Sequence, residues 1–279
     1  MRTLLLSLMI SFAACNAFAQ QRPLVTEDPE TIGAGRLLFE GGVEYDRDVV
    51  YPVSGLQGHL LRVPIAGLSI GVSSIAEIQI DQASFQRLRI TDRRRGPLTD
   101  LITATGASSS DAEDLLIGAK IRIAPEGTAR PAFGFRFATK LPNAGNESGL
   151  GLDTTDFLAS ILVGKTTQSV RIVGNLGLGI LGDPTNGNRQ NDVVTYGVSF
   201  ARAVTNAAEV VGEVNGRANT RSAGPLPGTE SRSIVRMGLR YTTGGLRGDA
   251  AVLLGATSND PGIGFTAGFT YAFTAFQVP

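Results

Sequence analysis

Tryptophan is absent from this 279-residue sequence, and histidine and cysteine occur once each. So few His and Cys side chains cannot furnish a zinc or iron centre, so no metal and no cofactor is expected. The single Cys15 lies near the start, and the chain beyond it has no thiol for a disulfide or a covalent intermediate. No run is long and apolar enough for a transmembrane helix, so any membrane crossing must be made by strands. An excess of either charge is also missing, with 25 Lys+Arg against 25 Asp+Glu. Nucleic-acid binders are expected to be basic, so no nucleic-acid partner is expected. Aromatic residues are only 6%, which with no Trp thins the interfacial girdle of a membrane protein.

What the sequence does contain is a terminal segment of strict period two. Ile263, Phe265, Ala267, Phe269, Tyr271 and Phe273 alternate with Gly264, Thr266, Gly268, Thr270 and Ala272. One face is aromatic and apolar, the other small and polar, which suits a strand with lipid outside and water inside. The order polar, any, Gly, any, any, aromatic, any, aromatic over 266–273 resembles the C-terminal signal by which outer-membrane barrels are recognised for insertion. Gly268, Tyr271 and Phe273 are its candidate residues, and the barrel-assembly machinery is an expected partner. The six residues 274–279 follow it as a tail, where such signals usually end the chain.

At the other end, Arg2, an apolar stretch and Ala17-Phe18-Ala19 read as a secretory leader over 1–19, too short to span a membrane. Lipidation at Cys15 is the rival reading, although Phe12 stands where an aliphatic residue is usual. Residues 20–35 hold Pro23, Pro29, Glu27, Asp28 and Glu30 with no alternation, so they form a lead segment and not a strand.

Alternation then predicts strands over 36–46, 56–72, 75–90, 112–124, 131–141, 154–166, 169–181, 192–203 and 207–219, one carrying Val235 to Tyr241, and two more over 246–256 and 263–273. Pro64 and Gly67 mark a bulge in the second. Short turns near 73–74, 125–130, 167–168, 204–206 and 244–245 alternate with mostly longer polar loops. That is the signature of an all-β transmembrane antiparallel β-barrel of about 12 strands over 36–273, with both termini periplasmic in the bacterial outer membrane.

The sequence resembles outer-membrane barrels described as phenol-degradation meta-pathway proteins, often simply called transporters. Arg22-Pro23-Leu24-Val25-Thr26-Glu27-Asp28 with Gly35 carries the likeness, as does Lys140-Leu141-Pro142 before a Gly-rich loop and Thr154-Thr155-Asp156-Phe157. Asn143-Ala144-Gly145 departs from the Gly-Asp type of turn expected there. The resemblance implies an outer-membrane barrel for uptake of small, often aromatic or hydrocarbon, molecules, with outer-membrane lipid and a small-molecule solute as partners.

The inward-facing charges are the candidate pore-lining residues: Glu40, Glu44, Glu77, Asp81, Lys120, Arg122, Arg136, Lys140, Arg171, Glu209, Glu213, Arg232, Arg236 and Arg240. Charges inside a barrel must be hydrated or paired. They form either a narrow polar pore, an acidic wall facing a basic one, or a salt-bridged filling without a conducting pore. The acids of the lead segment suit a plug drawn to the basic wall of Arg232, Arg236 and Arg240; a periplasmic tail is the alternative. An outer-membrane lipid hydrolase or deacylase would need His59 paired with a Ser, and no Ser motif accompanies it, so no catalytic residue is expected. Asp183-Pro184-Thr185-Asn186-Gly187-Asn188 echoes a calcium loop, but Val194 stands at its twelfth position. Arg87, Arg89 and Arg93 to Arg95 cluster at the external end of the third strand, as a solvated loop or a contact for lipopolysaccharide phosphates.

Overall fold

The computed structural model describes residues 22–277; the predicted leader, with Cys15, lies outside them. Its strands are β1 (Arg36–Tyr51), β2 (Leu56–Gly71), β3 (Ala76–Arg93), β4 (Ser108–Ala112), β5 (Leu116–Ala124), β6 (Ala132–Lys140), β7 (Asp156–Thr167), β8 (Val170–Gly182), β9 (Gln190–Ala203), β10 (Ala208–Asn219), β11 (Arg232–Thr243), β12 (Leu246–Gly255) and β13 (Ile263–Thr274). Consecutive strands pair antiparallel, except that β4 and β5 both pair with β3, and β13 pairs back onto β1 from Arg36↔Thr274 to Arg47↔Ile263. The sheet is therefore closed and has no free edge.

The barrel has twelve staves although thirteen strands are formed, because β4 and β5 share one place in the wall. Both pair with β3: Phe85 to Arg89 against β4, and Ala76 to Asp81 against β5. The alternation expected over 112–124 thus begins earlier, at Ser108, and breaks at residues 113–115. Polar groups cause the break. The Glu113 amide still donates to Ser84 O of β3, but the Leu115 amide donates to Asn143 Oδ1, and the Asp114 carboxylate accepts the Ala144 amide of the same loop and pairs with Lys140. The bulge expected at Pro64 and Gly67 is present as register shifts between Arg62 and Ile65 and between Ala66 and Leu68. β1 runs five residues past its expected end, to Tyr51.

The outward row of nearly every strand is apolar and exposed, for example Phe39, Phe133, Phe135, Phe137, Leu176, Leu178, Leu239, Phe265, Phe269, Tyr271 and Phe273. Tyr271 stacks on Phe273 with ring centroids 5.4 Å apart. Apolar surface this continuous is not left to water in a soluble protein, and a lipid surround removes the cost. The inward rows mix charged and polar side chains such as Glu77, Gln79 and Lys120 with apolar ones such as Leu162, Val211 and Leu253, so among the described residues no single hydrophobic core fills the barrel. Two small apolar clusters sit at the ends instead. Val49, Leu56, Leu60, Leu88 and Leu150 pack at the loop end; Ile32, Leu38 and Ala272 pack at the short-turn end. The C-terminal end of the described chain lies at that second end, where the Ala275 and Phe276 amides donate to Gly35 O, while Arg22 at the other end lies inside the barrel.

Candidate functional site

The lead segment does not hang from the barrel. Followed backwards from β1, it passes Leu38 and Ala272 at Ile32 and reaches Arg122 of β5 at Glu30. It then meets β8 at Asp28 and Glu27, β10 at Thr26 and Val25, and β12 and β13 at Arg22. Residues 22–32 therefore trace a circuit against the inner wall. Such an irregular buried backbone has no ladder to satisfy its amides, so polar side chains must do so. The wall supplies them: Glu77 accepts from Ile32 N at 2.7 Å, Asn175 from Glu27 N at 2.7 Å, Glu213 from Thr26 N at 2.9 Å and Glu40 from Arg22 N at 3.2 Å. Every one of these bonds uses a side chain of the barrel.

Ion pairs fasten the same circuit. Lys120, with no solvent exposure, places Nζ 3.3 Å from Glu27 and 3.0 Å from Glu77, its direct register partner on β3. Arg136 bridges Glu27 and Asp81, both at 3.0 Å. Arg122 holds Glu30 at 2.6 Å, and Arg171 holds Asp28 at 2.7 Å. Arg22 donates to Asp249 and to the Thr266 hydroxyl. Close approach is possible because the wall is trimmed where the segment lies: a Cβ on Gly197 would come within 2.8 Å of Thr26 Oγ1.

The lead acids thus meet Lys120, Arg122, Arg136 and Arg171, and not the wall of Arg232, Arg236 and Arg240 that the sequence suggested. Arg236 is bonded to Glu213 and Asn215, Arg240 donates to the Arg22 carbonyl, and Arg232 reaches toward Val50 O. Acids and bases are not sorted onto opposing walls either; Glu77 and Lys120 are cross-strand neighbours, as are Glu213 and Arg236. Glu209 sits near Arg240 and Arg247, and Lys140 pairs with Asp114 and Asp156 toward the loop end. Arg62 was not anticipated. It gathers Glu44 at 2.8 Å, Asp46 at 2.6 Å and Glu113 at 3.3 Å. Alternation with the exposed Leu61 and Val63 does point Arg62 inward, but nothing local to it marks the three carboxylates it gathers. Arg22, Asn175 and Asp249 were missed as well; Asp249 does share the inward parity of Ala251.

Space remains in the lumen. A cavity of about 350 Å³ is bounded on one side by Arg22 to Val25 and Glu27, and elsewhere by Glu40, Glu44, Asp81, Arg136, Arg232 and Arg236. A second, about 230 Å³, lies toward the loops beneath Val53 and Leu150 and is also lined by Lys140. The two share Arg62, Gln82, Glu113 and Arg232 in their linings.

His59 lies at the loop end, accepting the Asp48 amide on Nδ1 and packing 6.3 Å from the Tyr45 ring. Among the described residues no serine is hydrogen-bonded to it, and no group of three or more His, Cys, Asp and Glu is placed to hold a metal. The loop starting at Asp183 is closed internally: its carboxylate accepts from Thr185 and pairs with Arg189 at 2.7 Å. Burial raises the Asp183 pKa, but the bonds from Thr185 and Arg189 outweigh it and hold the carboxyl below its usual range.

No protein-family model matches the sequence, and no curated protein matches it. Solved structures do. The COG4313 outer membrane channel from Pseudomonas putida F1 is 10% identical, with a TM-score of 0.61 over 88% of this chain and 98% of that one. The translocator domain of the autotransporter NalP from Neisseria meningitidis is 11% identical, with a TM-score of 0.51 over 86% and 89%. The porin NanC is 8% identical, with a TM-score of 0.51 over 84% and 98%. At such identities the likeness carries the architecture, and the fold is that of an outer-membrane β-barrel.

Proposed function

We propose that the protein is an outer-membrane channel for passive uptake of small molecules, with residues 22–32 as its plug. One observation carries the reading: a charged cavity of about 350 Å³ inside the closed wall has the lead segment as one side. That segment is tied to the barrel through side chains, so it can leave without unzipping a strand. A filling meant only to stiffen the barrel would gain from strand pairing or apolar contact. The loop end faces the exterior and both termini the periplasm in this reading, because short turns are periplasmic in such barrels.

The resemblance of Arg22 to Asp28 and Thr154 to Phe157 directs the solute class to small aromatic or hydrocarbon compounds. Within that class the lining of Glu40, Glu44, Asp81, Arg136, Arg232 and Arg236 suits an ionised or strongly polar aromatic molecule, since charged walls give a plain hydrocarbon no gain. A hydrolase built on His59 gains no support from its neighbours, Asp48 and Tyr45.

Planar-bilayer recording with purified protein tests the proposal, beside a variant lacking residues 22–32 with the leader retained. Channel steps that grow in the deletion are expected. Silence from both proteins, with intact barrels on a heat-modifiability gel, would overturn the channel and leave a filled structural barrel.

A further inference from the structure

Arginine is unusual on the outward face of a membrane strand, yet β3 presents two in succession. Phe85, Arg87 and Arg89 are exposed, while Gln86 and Leu88 between them are buried, so both arginines project outward beyond a lipid-facing phenylalanine. β1 does the same: Tyr45 is exposed, Asp46 turns inward to Arg62, and Arg47 is exposed again. His59 of β2 sits between them, as the register partner of Arg89 and the neighbour of Asp48. Arg87 pairs in register with Leu61 on one side and Ser110 on the other; Arg89 has Ser108. No carboxylate is bonded to the side chain of Arg47, Arg87 or Arg89 among the described residues, although most inward arginines are paired. Asp48 is the acid at this site, 3.9 Å from His59.

Height identifies what these cations meet. From outward Ile78 to Arg87 is nine residues, or about 23 Å of barrel height at the usual strand rise and tilt, against an apolar band of about 25 Å. Arg87 and Arg89 therefore stand where the hydrocarbon ends and the headgroups begin. Guanidinium is the side chain best suited to clasp a phosphate, by two parallel charge-assisted bonds. Three guanidiniums without a carboxylate partner, on the two staves that flank β2 and with Ser108, Ser110 and Tyr45 beside them, form a surface for a ligand with more than one phosphate on a sugar headgroup.

We propose that Arg47, Arg87 and Arg89 bind the phosphates of lipid A in the outer leaflet. This rests on the orientation adopted above, with the loops outside, but not on conduction. The patch is a boundary-lipid site on the exterior wall, apart from the lumen.

Native mass spectrometry of the detergent-solubilised full barrel, titrated with diphosphoryl lipid A, monophosphoryl lipid A or phosphatidylglycerol, tests it. Diphosphoryl lipid A is expected to bind most tightly to the wild type. Arg47→Gln/Arg87→Gln/Arg89→Gln should weaken it by roughly tenfold or more. Arg202→Gln, an exposed arginine at the opposite end of the wall, should leave it unchanged. Equal binding of all three lipids by the wild type would overturn the proposal without any mutant. So would undiminished diphosphoryl lipid A binding by the triple variant. Lipid binding without conductance would sink the channel reading and leave this one standing.

Discussion

Lys120 Nζ and the Glu27 carboxylate lie 3.3 Å apart where the lead segment crosses the inner face of β5, and the ammonium is shut off from solvent. The pair joins the lead segment to the wall at a point where neither charge can turn back to water. Glu77, on the other side of Lys120, belongs to the barrel itself. Loss of Glu27 therefore weakens docking of the segment, while the barrel keeps a paired lysine.

Glu27→Gln should raise the conducting fraction in bilayer recordings. Removing one partner of a buried pair costs on the order of 3 kcal/mol, here charged mainly to the docked segment. A conducting fraction equal to wild type, from a variant with normal heat-modifiable migration, would show that the pair does not hold the segment.

Gly197→Val should act in the same direction by shape alone. Its Cβ meets Thr26 Oγ1 at 2.8 Å and the Thr26 methyl at 3.3 Å, with no wall backbone among its nearest atoms. Overpacking of this kind costs about 1–3 kcal/mol. Conductance should rise, and Thr26→Ala in the same chain should bring it back toward wild type by removing the clashing atoms. No change in the single variant would mean the segment is not pressed against β9.

Phe273→Ser should lower the amount of assembled barrel in outer-membrane fractions. Phe273 lies in the seam that closes the barrel, opposite Leu37, and stacks outward on Tyr271. The substitution removes lipid-facing area and the last aromatic of the insertion signal together. Wild-type levels of heat-modifiable protein would dismiss the signal reading.

Acid stability should depend on Glu126, in the turn between β5 and β6. Burial raises its pKa, but the Thr166 amide and hydroxyl, Lys165 and Arg171 pull it below the ordinary 4.5. A depressed carboxylate contributes stability that is present above its unfolded pKa and lost as pH falls through the lower folded value. Glu126→Gln should therefore show a smaller fall in unfolding temperature than wild type between about pH 5 and pH 3. Parallel curves for the two proteins would rule out a role for this turn.

Alternation of side chains is a local property, and it was enough for the strands, the lipid-facing row of β13 and the closed twelve-stave barrel. Period two requires two different surroundings, and only closure satisfies every strand edge in lipid. The inward charges were legible for the same reason; Glu77, Lys120 and Arg136 each sit at an inward parity position. The absence of strand pattern in residues 22–35 marked that segment as something other than wall.

Which charges meet was decided only in three dimensions. Glu77 faces Lys120 because β3 pairs with β5 in one register; a shift of two residues would keep every parity and change every partner. Arg62 was readable as inward, between Leu61 and Val63, but its three carboxylate partners were not, and β4 separated from β5 because Asp114 and the Leu115 amide bond to the loop at 143–144. The path of the lead segment depended on the whole wall, since its amides are satisfied by side chains from β1, β3, β8 and β10, far apart in sequence. Periodicity sets which way a residue points; register and closure set what it finds there.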